Sequence, residues 1–262
     1  MSVATWRREL DRLAARLAPP PVLPVGADLA VAVGLDPDPW QAQVLASAAP
    51  RVLLNASRQS GKSTITALLA VAEAVTEPGA LVLLLSPSLR QSSELFKKAL
   101  TTYRTLDRPV PAVAETALAL ELANGSRIVS LPGKEATIRG YSGVHLLIVD
   151  EASRVPNDLY LAVRPMLAVS GGRLLALSTP FGKRGWWWEA WRGAEPWERY
   201  EVPATECPRI PPDFLEEERR TLGEFWFSQE YMVQFLDSET SAFRSEDVER
   251  ALHGEEVAAW VL

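Results

Sequence analysis

Asn55-Ala56-Ser57-Arg58-Gln59-Ser60-Gly61-Lys62-Ser63-Thr64 is the stretch that decides the fold. An apolar run at 51–54 precedes it, and an Ala/Leu/Ile-rich segment at 64–75 follows it. Strand, glycine-containing loop and helix, in that order, are what a phosphate-binding loop requires. Backbone N–H groups of the loop and the helix start surround phosphate oxygens, and the helix dipole adds to the attraction. Lys62 is set to reach the β- and γ-phosphates, and the Ser63 hydroxyl to hold Mg²⁺. Ala56, Ser57, Arg58, Gln59, Ser60, Gly61 and Thr64 complete the expected nucleotide cradle. Ala56 stands where the pattern has its first glycine. The competing reading is an ordinary glycine turn between strand and helix.

A second motif argues against that alternative. Leu146-Leu147-Ile148-Val149 is a continuous apolar run ending in Asp150-Glu151. Four such residues suit a strand buried on both faces of a parallel sheet. Carboxylates at its C-terminal end lie where open α/β sheets place their ligands. Asp150 is expected to bind Mg²⁺ opposite Ser63. Glu151 is then free to polarise an attacking water as general base. Taken alone, such a pair is often just a solvated strand end. Together with the loop it indicates nucleotide hydrolysis.

The chain has 262 residues, 47% of them hydrophobic and 23% charged, with a net charge of −6. That length supports one large α/β domain with a small appendage. Cys207 is the single cysteine, which excludes an internal disulfide and any multi-thiolate metal site. Only His145 and His253 are present, so histidine-based metal or triad chemistry has little support. No apolar run reaches ~18 residues, so no membrane span is expected, and the N-terminus lacks the order of a secretion signal. The acidic balance confines any nucleic-acid contact to a local patch.

Residues 5–17 place Trp6, Leu10, Leu13 and Leu17 on one helical stripe. Prolines 19–21 and Pro24 then form a stiff connector. A helix with proline at its start is expected over 36–48. There Gln41 is placed to bond an adenine edge and Trp40 to pack beside the base, an ordinary capped helix being the alternative. Strands are expected at 51–56, 80–85, 116–122, 126–131, 146–149 and 173–177. Helices are expected at 88–103 and near 158–167. Asn124-Gly125 marks a hairpin. Strands alternating with helices argue a mostly parallel sheet with right-handed crossovers. Beyond Phe181 the texture changes: Trp186, Trp187, Trp188 and Trp191 crowd one helix, either as a local core or as a surface for stacking bases. A pair of helices is expected within 213–235.

The loop Ser57-Arg58-Gln59-Ser60-Gly61-Lys62-Ser63 resembles that of the large terminase subunits of tailed bacteriophages. Arg139-Gly140, Asp150-Glu151-Ala152, Ser178-Thr179-Pro180 and the segment 225–235 resemble the same family. The resemblance implies an α/β fold of the ASCE-type P-loop NTPases, a mostly parallel sheet flanked by helices, with a small C-terminal lid subdomain. It divides the chain into an N-terminal helix and proline-rich connector (1–35), an ATPase core (36–180), a lid with closing helices (181–243) and a linker (244–262). It implies ATP and Mg²⁺ as ligands. Its implied partners are double-stranded DNA, a portal protein and a small terminase subunit, with the chain a homo-oligomeric ring when assembled and a monomer in isolation. The setting it implies is the host cytoplasm, acting on a procapsid. Family members usually carry a second, nuclease domain, and the chain stops at Leu262, where that domain is expected to begin. DNA cleavage is therefore not expected of it.

Two arginines compete for charge stabilisation in the transition state: Arg58 within the loop, acting in cis, and Arg139, reaching a neighbouring subunit's nucleotide. Ser178 and Thr179 are expected to sense the γ-phosphate and relay it to the lid. Arg90, Lys97, Lys98, Arg104 and Arg108 are candidate DNA contacts or a solvated helix face. The rival functions are a helicase-like translocase, a small-molecule kinase and a nucleotide-gated assembly module with little hydrolysis.

Overall fold

A computed structural model describes residues 3–133, 140–237 and Ala251. Eight strands form one sheet, β1 (Arg51–Ala56), β2 (Leu81–Ser86), β3 (Ala112–Glu115), β4 (Ala119–Leu122), β5 (Arg127–Pro132), β6 (Leu146–Asp150), β7 (Arg173–Ser178) and β8 (Glu198–Val202). Their spatial order is β3-β4-β5-β2-β6-β7-β1-β8. β4 pairs antiparallel with β3 and β5, and every other neighbour pair is parallel. The helices are α1 (Val3–Leu17), α2 (Ala27–Ala32), α3 (Pro39–Ala46), α4 (Lys62–Thr76), α5 (Leu89–Thr105), α6 (Asn157–Val163), α7 (Gly185–Arg192) and α8 (Pro212–Glu230).

Strand side chains alternate between faces, and the core divides accordingly. Val52, Leu54, Val82, Leu84, Ile148 and Leu177 pack on the α4 side with Ile65 and Leu68. Leu53, Leu83, Leu85, Val149 and Ala176 face the other layer, with Leu159, Trp186 and Trp187. Fully burying each of these large apolar side chains is worth roughly 1.5–3 kcal/mol. Trp186, Trp187 and Trp191 of α7 belong to this second layer. Trp186 stacks on Tyr160 at 3.9 Å and its Nε1 donates to the Val155 carbonyl at 2.9 Å. Trp186 and Trp187 are therefore core, and the base-stacking reading does not hold for them.

Four elements differ from expectation. β8, inside the region read as lid, joins the main sheet beside β1, with Ala56 opposite Val202. As an edge strand it bonds on one side only and tolerates Glu198, Arg199 and Glu201, so no apolar run announces it. β3 and α2 are short and were not read. The expected strand 116–122 begins only at Ala119, because the Thr116 hydroxyl accepts from the N–H groups of Leu118 and Ala119 and turns the chain. α8 is bent into the expected pair of helices at Gly223, whose φ is 77°.

The tightest backbone approach is at Gly172, just before β7. A Cβ added there would lie 1.9 Å from the Val144 carbonyl oxygen, while one at Gly171 meets nothing within 4 Å. Gly172→Ala should cost about 3 kcal/mol or more, because a backbone oxygen must move. Gly171→Ala should cost only about 1–2 kcal/mol, for its positive φ of 63°. Urea denaturation of both variants checks the contrast.

Candidate active site

The sheet order sets the site before any side chain is considered. β6, β7 and β1 are consecutive and parallel, so their C-terminal ends lie side by side. The register puts Ser178 opposite Asn55 and Leu177 opposite Asp150. The loop, the Ser178-Thr179 segment and the acidic pair thus form one row.

Within the loop, Gln59 and Gly61 take left-handed conformations, with φ of 59° and 93°. No side chain caps α4, and the Thr64 and Ile65 N–H groups donate to the Gly61 carbonyl. The Ser60 hydroxyl and Lys62 Nζ both donate to the Ser57 carbonyl, at 2.9 and 3.3 Å. Ser57 N–H donates to the Val202 carbonyl, fixing the loop's first turn to β8.

Asp150 is buried at the end of β6, and one of its oxygens accepts the Glu151 N–H at 3.0 Å. Burial, with the neighbouring Glu151 charge, raises its carboxyl to about 6 against the opposing pull of Lys62. Glu151 sits at φ 50°, a left-handed conformation unusual for a residue other than glycine. Ser63, Asp150 and Glu151 line one cavity of about 160 Å³ together with Arg90, Gln91, Glu94, Leu95 and Lys98 of α5. Arg90 and Lys98, read earlier as a DNA-facing or solvated surface, stand at the edge of the acidic pair. Helical periodicity could place them on one side of α5 but not say what that side faces.

Other expected residues take different parts. Trp40 is buried in the core on the α4 side. Gln41 is buried too: its Oε1 accepts the Asp38 N–H at 3.0 Å and its Nε2 donates to the Ser60 carbonyl at 3.1 Å. Its amide completes the capping box of α3 with Asp38, as the capped-helix alternative expects, and holds the loop. Arg58 Nε donates to Glu230 Oε2 at 2.6 Å, and this bond holds its guanidinium firmly charged. Ser178 Oγ donates to Ser153 Oγ at 2.7 Å and accepts the Ser153 N–H at 3.2 Å, tying β7 to the turn after Glu151. Thr179 is buried beside it. Arg139 lies outside the described residues, as does the linker 244–262.

The sequence reading missed the wall that closes the row. The last turn of α8 and the residues after it reach back to the strand ends. Arg58 N–H donates to the Glu230 carbonyl, Asn55 Nδ2 to the Val233 carbonyl, and Gly182 N–H to Gln229 Oε1. Arg209, also missed, forks onto Asp38 with Nη1 and Nη2 at 2.8 and 2.7 Å.

A phosphate loop on α4, faced across a neighbouring parallel strand by the buried Asp150 and the half-buried Glu151, defines a P-loop NTPase. A family model described as terminase large subunit, T4likevirus-type, N-terminal, matches residues 53–250. The chain belongs to that family. The terminase large subunit of Thermus virus P23-45 is 26% identical over 256 residues, covering 82% of this chain and 52% of its own length. The chain thus spans about half of that relative. The large terminase ATPase domain of Thermus phage P74-26 superposes with a TM-score of 0.71 at 23% identity, covering 79% of this chain and 97% of that one. A large terminase of a thermophilic bacteriophage, solved in complex with ADP, superposes at 0.64 with 12% identity, covering 76% of this chain and 53% of that one. At these identities the two structures establish the shared fold.

Asp150 gives the site a pH signature. A carboxyl raised to about 6 in the folded chain, against about 3.9 when unfolded, favours folding below pH 4. That contribution is lost as pH rises through 6. At pH 7 the loss is about 3 kcal/mol. In EDTA, Asp150→Asn should melt well above the parent chain at pH 7, and the advantage should shrink towards pH 4. Thermal scans across pH measure it.

Proposed function

We propose that this chain is the ATP-hydrolysing motor region of a DNA-packaging terminase, with double-stranded viral DNA as the moved substrate. The observation that carries the proposal is the single cavity shared by Ser63, Asp150 and Glu151. It joins the phosphate-binding end of α4 to a carboxylate free to act on water. The family membership and the ADP complex of a structural neighbour support the same reading.

In this reading the N–H groups of 57–63 and the α4 dipole take the phosphates, and Lys62 leaves the Ser57 carbonyl for the β- and γ-phosphate oxygens. The residues present fit Mg²⁺: the Ser63 hydroxyl and the Asp150 carboxylate are hard oxygen donors bordering one cavity. Among the described residues no cluster of three His, Cys, Asp or Glu forms a closed cage, as suits an ion that shares its shell with phosphate. Bound there, Mg²⁺ would neutralise charge on the β- and γ-phosphates. Glu151 orients the attacking water and accepts its proton. Arg58 acts in cis if it leaves Glu230, and Arg139 acts in trans across a homo-oligomeric ring. Ser178 and Thr179, between loop and acids, report the γ-phosphate to the lid formed by 181–243 apart from β8. A portal protein, a small terminase subunit and a procapsid in the host cytoplasm complete the assembly. No nuclease step is assigned to the described residues.

Two variants separate binding from chemistry. Glu151→Gln should lower ATP turnover by about 10²–10⁴ while ADP affinity stays near that of the parent. Lys62→Ala should weaken ADP binding itself. Steady-state turnover and ADP titration read the two effects, and a Glu151→Gln chain with parental turnover would remove Glu151 from the role. Turnover should also rise with protein concentration and with duplex DNA, and Arg139→Ala should abolish that rise, by up to about 10³–10⁵ for an arginine at the γ-phosphate.

A further inference from the structure

Arg209 lies between β8 and α8, far in sequence from the phosphate loop, yet it bonds to the loop itself. Its Nη1 and Nη2 donate to the two Asp38 carboxylate oxygens at 2.8 and 2.7 Å, and Nη2 also donates to the Ser60 carbonyl at 3.0 Å. Asp38 is only 6% exposed. The same Ser60 carbonyl accepts Gln41 Nε2, and Gln41 Oε1 in turn accepts the Asp38 N–H. Four residues thus close a ring of bonds around one peptide oxygen.

A trans peptide is planar, with its C=O and N–H pointing in opposite directions. Two donors holding the Ser60 oxygen outward therefore aim the Gly61 N–H the other way, into the turn that leads to the uncapped start of α4. Gly61 is required there: its φ is 93°, and a Cβ would lie 2.8 Å from Gln41 Nε2. We infer that Arg209 is a positioning residue for phosphate binding. Through Asp38 and the Ser60 carbonyl it fixes the orientation of the Gly61 amide, and so sets how well the loop holds a diphosphate. The bidentate fork gives this hold its geometry, which a lysine ammonium does not reproduce. The inference rests on the nucleotide-binding reading above.

The test is titration of the full chain with ADP and with inorganic pyrophosphate, which carries the phosphates without the base. Arg209→Lys should weaken both by about tenfold or more, as loss of a charge-assisted bond predicts. The double change Asp38→Asn with Arg209→Gln removes both partly buried charges together, and serves where the single variant does not fold. It should weaken both ligands similarly. A merely structural arginine would lower the unliganded melting temperature and leave both dissociation constants within twofold, which overturns the inference. Weakened ADP with unchanged pyrophosphate would move Arg209 to the base and also overturn it. If the parent chain binds neither ligand, the nucleotide reading fails first and takes this one with it.

Discussion

The structure depends on the parallel pairing of β6, β7 and β1. Parallel strands direct all their C-terminal ends to one edge of the sheet, and hydrogen-bond register fixes which residues emerge together. Here the register brings Asn55, Ser178 and Asp150 to that edge in neighbouring strands. The loop and the acids are distant in sequence and adjacent in space for that reason alone. A one-residue slip of β7 would exchange the residues it gives to the two core layers and displace Ser178 from the row. Stability and site geometry are enforced by the same pairing.

Around that row the backbone is held in conformations that side chains disfavour. Gln59, Glu151 and Val233 all have positive φ, and for a β-branched residue such as Val233 this is a genuine outlier. Each costs of order 1–3 kcal/mol and persists only where surroundings over-determine it. The bonds that do so are specific. Val233 is fully buried and its carbonyl is held by Asn55 at the root of the loop. The Glu151 N–H is held by Asp150. Val233 follows α8, and its bond to Asn55, with that of the Arg58 N–H to the Glu230 carbonyl, couples the end of that helix to the loop.

How much of this was legible follows from what leaves a periodic or compositional trace. β1, β2, β6 and β7 were readable because central parallel strands must be apolar on both faces, and Leu53-Leu54 and Leu146–Val149 obey that rule; β5 was marked by the Asn124-Gly125 turn before it. The loop and the acidic pair were readable because their chemistry restricts residue type at fixed spacing. β8 was not, since one-sided pairing permits charge. Gln41 was legible as part of a capped helix, but its bond to the Ser60 carbonyl is set by tertiary packing and leaves no local trace. Arg209 and Glu230 were missed for the same reason, as an arginine after a proline and a glutamate ending a helix carry no local signature. The residues proposed to touch phosphate carry a motif, whereas those that aim the loop are set by tertiary packing.

The charges of the site are arranged asymmetrically. Three of its basic groups are already engaged: Arg58 by Glu230, Arg209 by Asp38, and Lys62 by the Ser57 carbonyl. The buried acid is the uncomfortable group, raised to about 6 by desolvation and by Glu151 beside it. A polyanion alone would add repulsion against Asp150, and a bare cation alone would leave the uncapped α4 start unfilled. A phosphate chain carrying its own divalent cation satisfies both at once. It would relieve Asp150 and occupy the helix N-terminus, and it would compete with Glu230 for Arg58. Ligand entry then exchanges internal bonds for new ones at the very contact that ties the loop to α8. That exchange gives the closing helix a reason to respond to what the loop holds.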